Sequence, residues 1–265
     1  NKLYISVVEK KKNCNQLSIY YSDLINLNNN FDFKLFKNFE ECGDHWVTAG
    51  RMQPLQFEEK KGIIVSTSTG PKSKDTPGDQ PQDDFSIFGK IIFIDLDKKN
   101  HFIFTKGHRE TQGLYVKENI ILSTEHGPRG GDEVNKLIFN SNYGWPLASY
   151  GEAYYDKEKK YLKSHVENGF KEPLISFVPS IGISELIIVP HDFSPSWGNS
   201  VFVTSLNGKS IYRLQFESKE YKNILLTEKI YIGQRIRDIK YIPNKNVFFL
   251  ALENFGEIGI LEKVN

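Results

Sequence analysis

Residues Gly113–Thr124, GLYVKENIILST, read as an apolar run, a polar turn and a second apolar run. Both runs are short and rich in β-branched and aromatic residues, which marks strands rather than helix. The phrase returns elsewhere. Asp238–Pro243 leads into Asn246–Ala251, Met52–Phe57 into Gly62–Thr67, and Glu185–Pro190 into Asn199–Thr204. A third strand often follows, as at Lys90–Leu96 and Lys209–Phe216. Small antiparallel sheets repeating every ~40–60 residues are the units of a β-propeller. With a partial unit at Asn1–Asp23, the copies predict an all-β chain of about five blades. A β-sandwich is the other architecture that short strands allow, but it leaves the repeated phrase unexplained. The only helical expectation is a single turn at Val166–Phe170. Residues 1–265 read as one propeller domain.

Composition narrows the function classes. The chain has 265 residues, 39% hydrophobic and 13% aromatic, enough to bury a large core. A formal net charge of +1 lacks the basic excess of a nucleic-acid binder. Lys10–Lys12 and Lys157–Lys160 are short runs that read as solvated turns. No apolar run reaches the length of a membrane span. The opening NKLYISVVEK is already strand-like, with no signal-peptide pattern and no initiator methionine, suggesting a processed or truncated start. Cys14 and Cys42 are the only cysteines, too few for a disulfide scaffold, and they leave the redox compartment open. Lys72–Ser86 and Tyr150–Pro173 are the most polar excursions, and long loops of this kind commonly line a propeller's site.

The stretch least like scaffold is Glu125–Pro146, EHGPRGGDEVNKLIFNSNYGWP. Gly127–Asp132 holds three glycines and a proline, so the backbone turns tightly and turns carbonyl oxygens inward. Asp132 and Glu133 follow with two carboxylates, and an oxygen-only donor set suits Ca²⁺ better than a transition metal. An ordinary surface loop with a solvated acidic pair has the same composition.

Three segments taken together carry a resemblance. Gly107–Leu114 (GHRETQGL), Glu125–Asn135 (EHGPRGGDEVN) and Asn142–Pro146 (NYGWP) resemble the signature of the glucose/sorbosone dehydrogenase family, the soluble quinoprotein aldose dehydrogenases. Pro179–Leu186, Trp197–Leu206 and Gly233–Ile239 fit the same family in order, and Ala49–Arg51 and Gln82–Lys90 fit more loosely. The resemblance implies a six-bladed propeller holding pyrroloquinoline quinone (PQQ) and Ca²⁺, with an aldose as substrate and an external electron acceptor. It implies that carbonyls of Gly127 and Pro128 face the cofactor-bound Ca²⁺, and that Glu133 and the Tyr143 carbonyl hold a second one. Arg235 and Arg237 match the pair that meets the cofactor's acidic groups; on a strand, residues two apart share a face. Arg109 matches the family's active-site arginine, while Tyr154 and Ser180 match further pocket positions. The family also implies a periplasmic or secreted location.

The chain departs from the pattern at several of these positions. The family's general base is a histidine four residues before the arginine of the Gly-Arg pair, and Val47 stands there. Val47 accepts no proton; His45 lies two residues earlier, about 6–7 Å along an extended chain, and is the one substitute base nearby. Glu110 replaces an asparagine, and Asn207 stands where a lysine is expected to meet the cofactor, with Lys209 close by. The family's opening region, about one blade, has no counterpart ahead of Asn1, so the chain reads as a fragment or as a propeller with an open seam. The alternatives are an active sugar dehydrogenase, a catalytically silent propeller that binds a sugar, glycan or protein, and a Ca²⁺-dependent lactonase. The lactonase needs a carboxylate and amide cluster that the sequence does not obviously supply.

Overall fold

Each of the four strand–turn–strand phrases folds as an antiparallel hairpin in the computed structural model. The structure describes residues 2–12, 14–24, 31–43, 49–69, 78–154 and 158–263. Among the described residues, nineteen strands form five sheets. The first is β1 (Lys2–Lys10), β2 (Asn15–Asp23) and β3 (Lys34–Asn38). The second holds β4 (Ala49–Phe57), β5 (Lys60–Thr67), β6 (Lys90–Asp95) and β7 (His101–Lys106), with β11 (Ser141–Asn142) added in parallel to β7. The third is β8 (Thr111–Lys117), β9 (Ile120–Glu125), β10 (Asp132–Lys136) and β12 (Ile175–Phe177). The fourth is β13 (Ile183–Ile188), β14 (Ser200–Ser205), β15 (Ser210–Phe216) and β16 (Ile224–Tyr231). The last is β17 (Ile236–Ile242), β18 (Val247–Leu252) and β19 (Glu257–Leu261). Helix among the described residues is limited to two single 3₁₀ turns, Val166–Asn168, as expected, and Pro195–Trp197.

Contacts divide the chain into two compact units, Asn1–Glu110 with Phe139–Leu147, and Thr111–Ile138 with Ala148–Asn265. In the first unit Leu17, Ile19, Phe36, Ile63, Val65, Ile92 and Ile94 form one core. In the second unit one core gathers around Val134, Leu186, Val203 and Leu214, and another around Phe202, Ile211, Ile239 and Phe248. Inner strands such as β6 and β14 are buried at every position, so both faces are covered and their sequences are nearly unbroken apolar runs. Edge strand β16 is mostly exposed and carries Glu228 and Lys229, charges that discourage pairing with another chain. Cys14 and Cys42 are joined in a disulfide with their Cα atoms 5.7 Å apart, settling the pairing the sequence left open. Closing that 28-residue separation restricts the unfolded chain, worth about 3–4 kcal/mol on the loop-entropy account.

Lys90, fully buried in the first unit, donates its ammonium to the carbonyls of Gln80 (2.5 Å) and Phe88 (2.7 Å). Burial pushes its pKa down to about 8. Between that value and the ordinary lysine value near 10.5, the unfolded chain binds more protons, so this group adds stability as pH rises through the window. Denaturant midpoints measured from pH 7.5 to 10.5 should therefore show a lysine-dependent rise in the parent that is missing from Lys90→Met.

Candidate functional site

In the second unit, β9 and β10 are joined by the turn from His126 to Gly131. Gly127 is required there. A Cβ on it would lie 2.2 Å from the Gly130 carbonyl oxygen and 2.3 Å from that of Gly131. The turn is held from below by Asp132. One carboxylate oxygen accepts the Gly127 N–H at 3.1 Å; the other accepts the N–H groups of Ile181 and Ile183, each at 3.0 Å. Asp132 is therefore committed to backbone donors, and of the adjacent acidic pair only Glu133 is left to face a ligand. The reason is strand geometry. Glu133 sits on a β-strand, not in a loop, so its side chain and that of Asp132 point to opposite faces.

Glu133 shares its face with Asn135, whose Nδ2 lies 3.3 Å from Glu133 Oε2. It is directly opposite Glu125 in the β9–β10 register, and both glutamates are buried. Burial pushes the Glu133 carboxyl well above the usual range, and Glu125 adds to the shift, followed by Glu172 and Asp132. His165 Nε2 lies 3.7 Å away, and burial pushes the His165 pKa down, which works against its carrying a counter-charge for Glu133. The Asn135 Oδ1 is buried without a hydrogen-bond partner. A carboxyl short of a counter-charge beside an orphaned amide oxygen is a donor set that fits a hard cation. No group of three or more His, Cys, Asp or Glu side chains among the described residues is placed to hold a metal, so such an ion would need carbonyl oxygens as well.

Pro128 and Tyr154 meet: the Tyr154 hydroxyl donates to the Pro128 carbonyl at 2.9 Å. Arg129 and Glu152 exchange backbone hydrogen bonds, both 2.9 Å, and the Arg129 guanidinium donates to the Tyr154 carbonyl. One lone pair of the Pro128 oxygen is thus in use within the protein. Ser180 accepts the Gly182 N–H at 3.4 Å, and exposed Asn207 runs beside Gly182, where a glycine Cβ would lie 3.0 Å from the Asn207 nitrogen. Arg235 lies just ahead of β17, and a register shift falls at Arg237, so strand alternation does not relate the two; both instead reach Glu253, at 3.2 and 2.5 Å. Burial alone would raise Glu253; the hydrogen bonds from Arg237 and Arg235 outweigh it and hold the carboxyl below its ordinary value.

In the first unit, the Gly107–Arg109 and Asn142–Pro146 segments pack on each other. Gly107 has φ +78°, and a Cβ there would lie 2.2 Å from the Asn142 side-chain oxygen. Tyr143 and Trp145 donate their backbone N–H groups to the carbonyls of Lys106 (2.8 Å) and Gly107 (3.0 Å). The His108 ring stacks on Tyr143 at 4.8 Å, and the Arg109 guanidinium lies over the Trp145 ring at 5.4 Å. Trp145 is itself fixed by its indole N–H to Thr69 at 2.8 Å. His45 and Val47 lie outside the described residues. Glu253, Glu125 and His165 did not stand out in the sequence. Glu125 was within the quoted stretch, but only the β9–β10 register shows that it faces Glu133; His165 and Glu253 belong to no recognisable spacing.

The family model described as Glucose / Sorbosone dehydrogenase matches residues 2–260. The chain belongs to this family. It is 31% identical over 160 residues to aldose sugar dehydrogenase YliI of Escherichia coli, covering 59% of this chain and 42% of that protein. It is 30% identical over 171 residues to quinoprotein glucose dehydrogenase B of Acinetobacter calcoaceticus, covering 57% and 32%. The chain spans less than half the length of the curated relatives it matches. Among solved structures, a glucose dehydrogenase superposes with a TM-score of 0.83 at 22% identity, over 100% of this chain and 79% of that one. The PQQ-bound aldose sugar dehydrogenase of Streptomyces coelicolor gives 0.69 at 18% identity, over 98% and 74%. These likenesses show the fold, a β-propeller, as the repeated hairpins predicted, with five sheets in this chain.

Replacing Asp132 by alanine strands three N–H groups in or beside the core, at about 1–3 kcal/mol each. Urea denaturation should show a loss of at least about 3 kcal/mol for Asp132→Ala, whereas Glu133→Gln, at a site already favouring the neutral form, should change it by less than about 1 kcal/mol.

Proposed function

We propose that this chain is part of a PQQ- and Ca²⁺-dependent aldose sugar dehydrogenase that oxidises a sugar at C1 to the lactone and passes the electrons to an external acceptor. The reading rests on one observation above the others: the family match runs through nearly the whole chain, and the residues around Glu133 lack the positive charge that would complete them. In this reading residues 1–265 belong to a single propeller domain. The quinone, with Ca²⁺ polarising its carbonyl, supplies the hydride acceptor. The chain's own residues hold and orient. Glu133 and the Tyr143 carbonyl are assigned to one Ca²⁺, and the carbonyls of Gly127 and Pro128 to the cofactor-bound one, with Pro128 keeping one lone pair for it beside the Tyr154 hydroxyl. Arg235 and Arg237 are assigned to the cofactor's carboxylates, with Ser180, Asn207 and Tyr154 along its edges. Arg109, its guanidinium 5.4 Å over the Trp145 ring, is assigned to the substrate's reacting oxygen. His45 is assigned the proton from the anomeric hydroxyl, because Val47 cannot take it. A periplasmic or secreted location accords with the Cys14–Cys42 disulfide, which oxidising compartments favour.

A second reading, a silent relative that binds a sugar or a protein partner, is favoured by Val47 at the expected base position together with Glu110 and Asn207. Purified protein incubated with PQQ and CaCl₂ should reduce an electron-accepting dye when supplied with aldoses, and His45→Ala should lower the rate at least about 100-fold, the usual scale for a lost general base. No dye reduction and no quinone binding in the parent would leave the silent reading; an unchanged rate in the variant would remove His45 from the reaction.

The Ca²⁺ assignment has a readout that needs no turnover. Millimolar CaCl₂ should raise the thermal midpoint of the parent, because a ligand that binds only the folded state stabilises it by mass action. The rise should vanish in Glu133→Gln. A rise equal in both proteins would place the ion elsewhere.

A further inference from the structure

The second unit carries a cavity of about 430 Å³ that none of these assignments uses. It lies among the β8–β9 turn, the β13–β14 connection and the β15–β16 connection. The Gly127 turn follows the far end of β9, so the two places are a full strand apart, roughly 20 Å at 3.3 Å per residue.

We propose that this cavity is a binding site for a small organic anion, a carboxylate carried on an apolar body. Lys117, Lys219 and His191 line it, against Glu118 as its single lining carboxylate. None of these three basic side chains makes an ion pair or hydrogen bond among the described residues. Tyr221 is the second, independent feature. It is only 6% exposed, its backbone is fixed by a bond to the Ser218 carbonyl, and its ring packs on Phe216 at 5.3 Å. Its hydroxyl has no hydrogen-bond partner among the described residues, although Tyr221 lines the cavity. The ring is buried but the hydroxyl oxygen keeps some exposure, so it meets solvent at the cavity, and a ligand oxygen can take that water's place as its acceptor. Burial raises its pKa to about 12, so at neutral pH it keeps its proton and acts as a donor. Ile120, Ile188, Val189 and Pro195 supply an apolar wall, which inorganic phosphate would leave unfilled and a hydrocarbon or aromatic body would cover.

The test uses the chain as it stands, ¹⁵N-labelled, titrated separately with benzoate and with inorganic phosphate at pH 7. Benzoate should shift the amides of 117–120 and 219–221 saturably, and phosphate should bind at least about ten-fold more weakly. Tyr221→Phe removes a hydroxyl that bonds nothing in the protein, so its thermal midpoint should match the parent while benzoate binding weakens about ten-fold, the scale of one hydrogen bond to a charged acceptor. Lys117→Gln combined with Lys219→Gln should weaken it further. The absence of saturable shifts, or equal benzoate affinity in Tyr221→Phe, overturns the site. Phosphate binding as strong as benzoate overturns the organic body. None of these results bears on dye reduction with PQQ, so the two readings fail separately.

Discussion

Asp132 is the constraint on which the second unit's Gly127–Gly131 turn depends. A single carboxylate gathers the Gly127 N–H from its own turn and the N–H groups of Ile181 and Ile183 from the start of the neighbouring sheet. Charge-assisted bonds of this kind are stronger than those between neutral groups, and all three donors are fixed by backbone. The turn then has one closed form, in which Gly127 touches Gly130 and Gly131 too closely for any other residue. Everything else follows by alternation along β10: Asp132 and Val134 go to the packed side, Glu133 and Asn135 to the other.

The sequence made the inner strands legible and the outer ones obscure. GIIVST, KIIFID and SVFVTS are covered on both faces, so burial writes them as apolar runs. β3, β16 and β19 lie at sheet edges, where solvent tolerates Lys and Glu, so their apolar runs are interrupted and mark a strand less clearly. The same blindness affected the acidic pair. Read as the end of a tight turn, Asp132 and Glu133 both seemed available to a cation; once Asp132 is known to begin a strand, the two have opposite roles. Motif pairs fared better. Gly107 and Asn142 belong to segments marked by the family resemblance, and the close approach between them is a physical reason for both residues.

Two buried ionisable groups show different solutions to one problem. Burial lowers the Lys90 pKa to about 8, with the Asp83 and Glu41 carboxylates opposing the fall, and the ammonium donates to the carbonyls of Gln80 and Phe88. Glu133 has another carboxyl across the strand and one amide donor at 3.3 Å, and it is pushed toward the neutral form instead. The first arrangement is complete in itself. The second is complete only with an added positive charge.

Glu253 gives the paired arginines a further property. Because Arg235 and Arg237 already hold an internal carboxylate, an anion that approaches them takes part in an exchange, with one carboxylate displaced for each one gained. A ligand bearing one acidic group gains little over the resident side chain, while one bearing several gains on each additional contact. The guanidinium groups, meanwhile, are kept side by side and need not be ordered when a ligand arrives. Selectivity for highly charged ligands can thus come from a residue that never touches them.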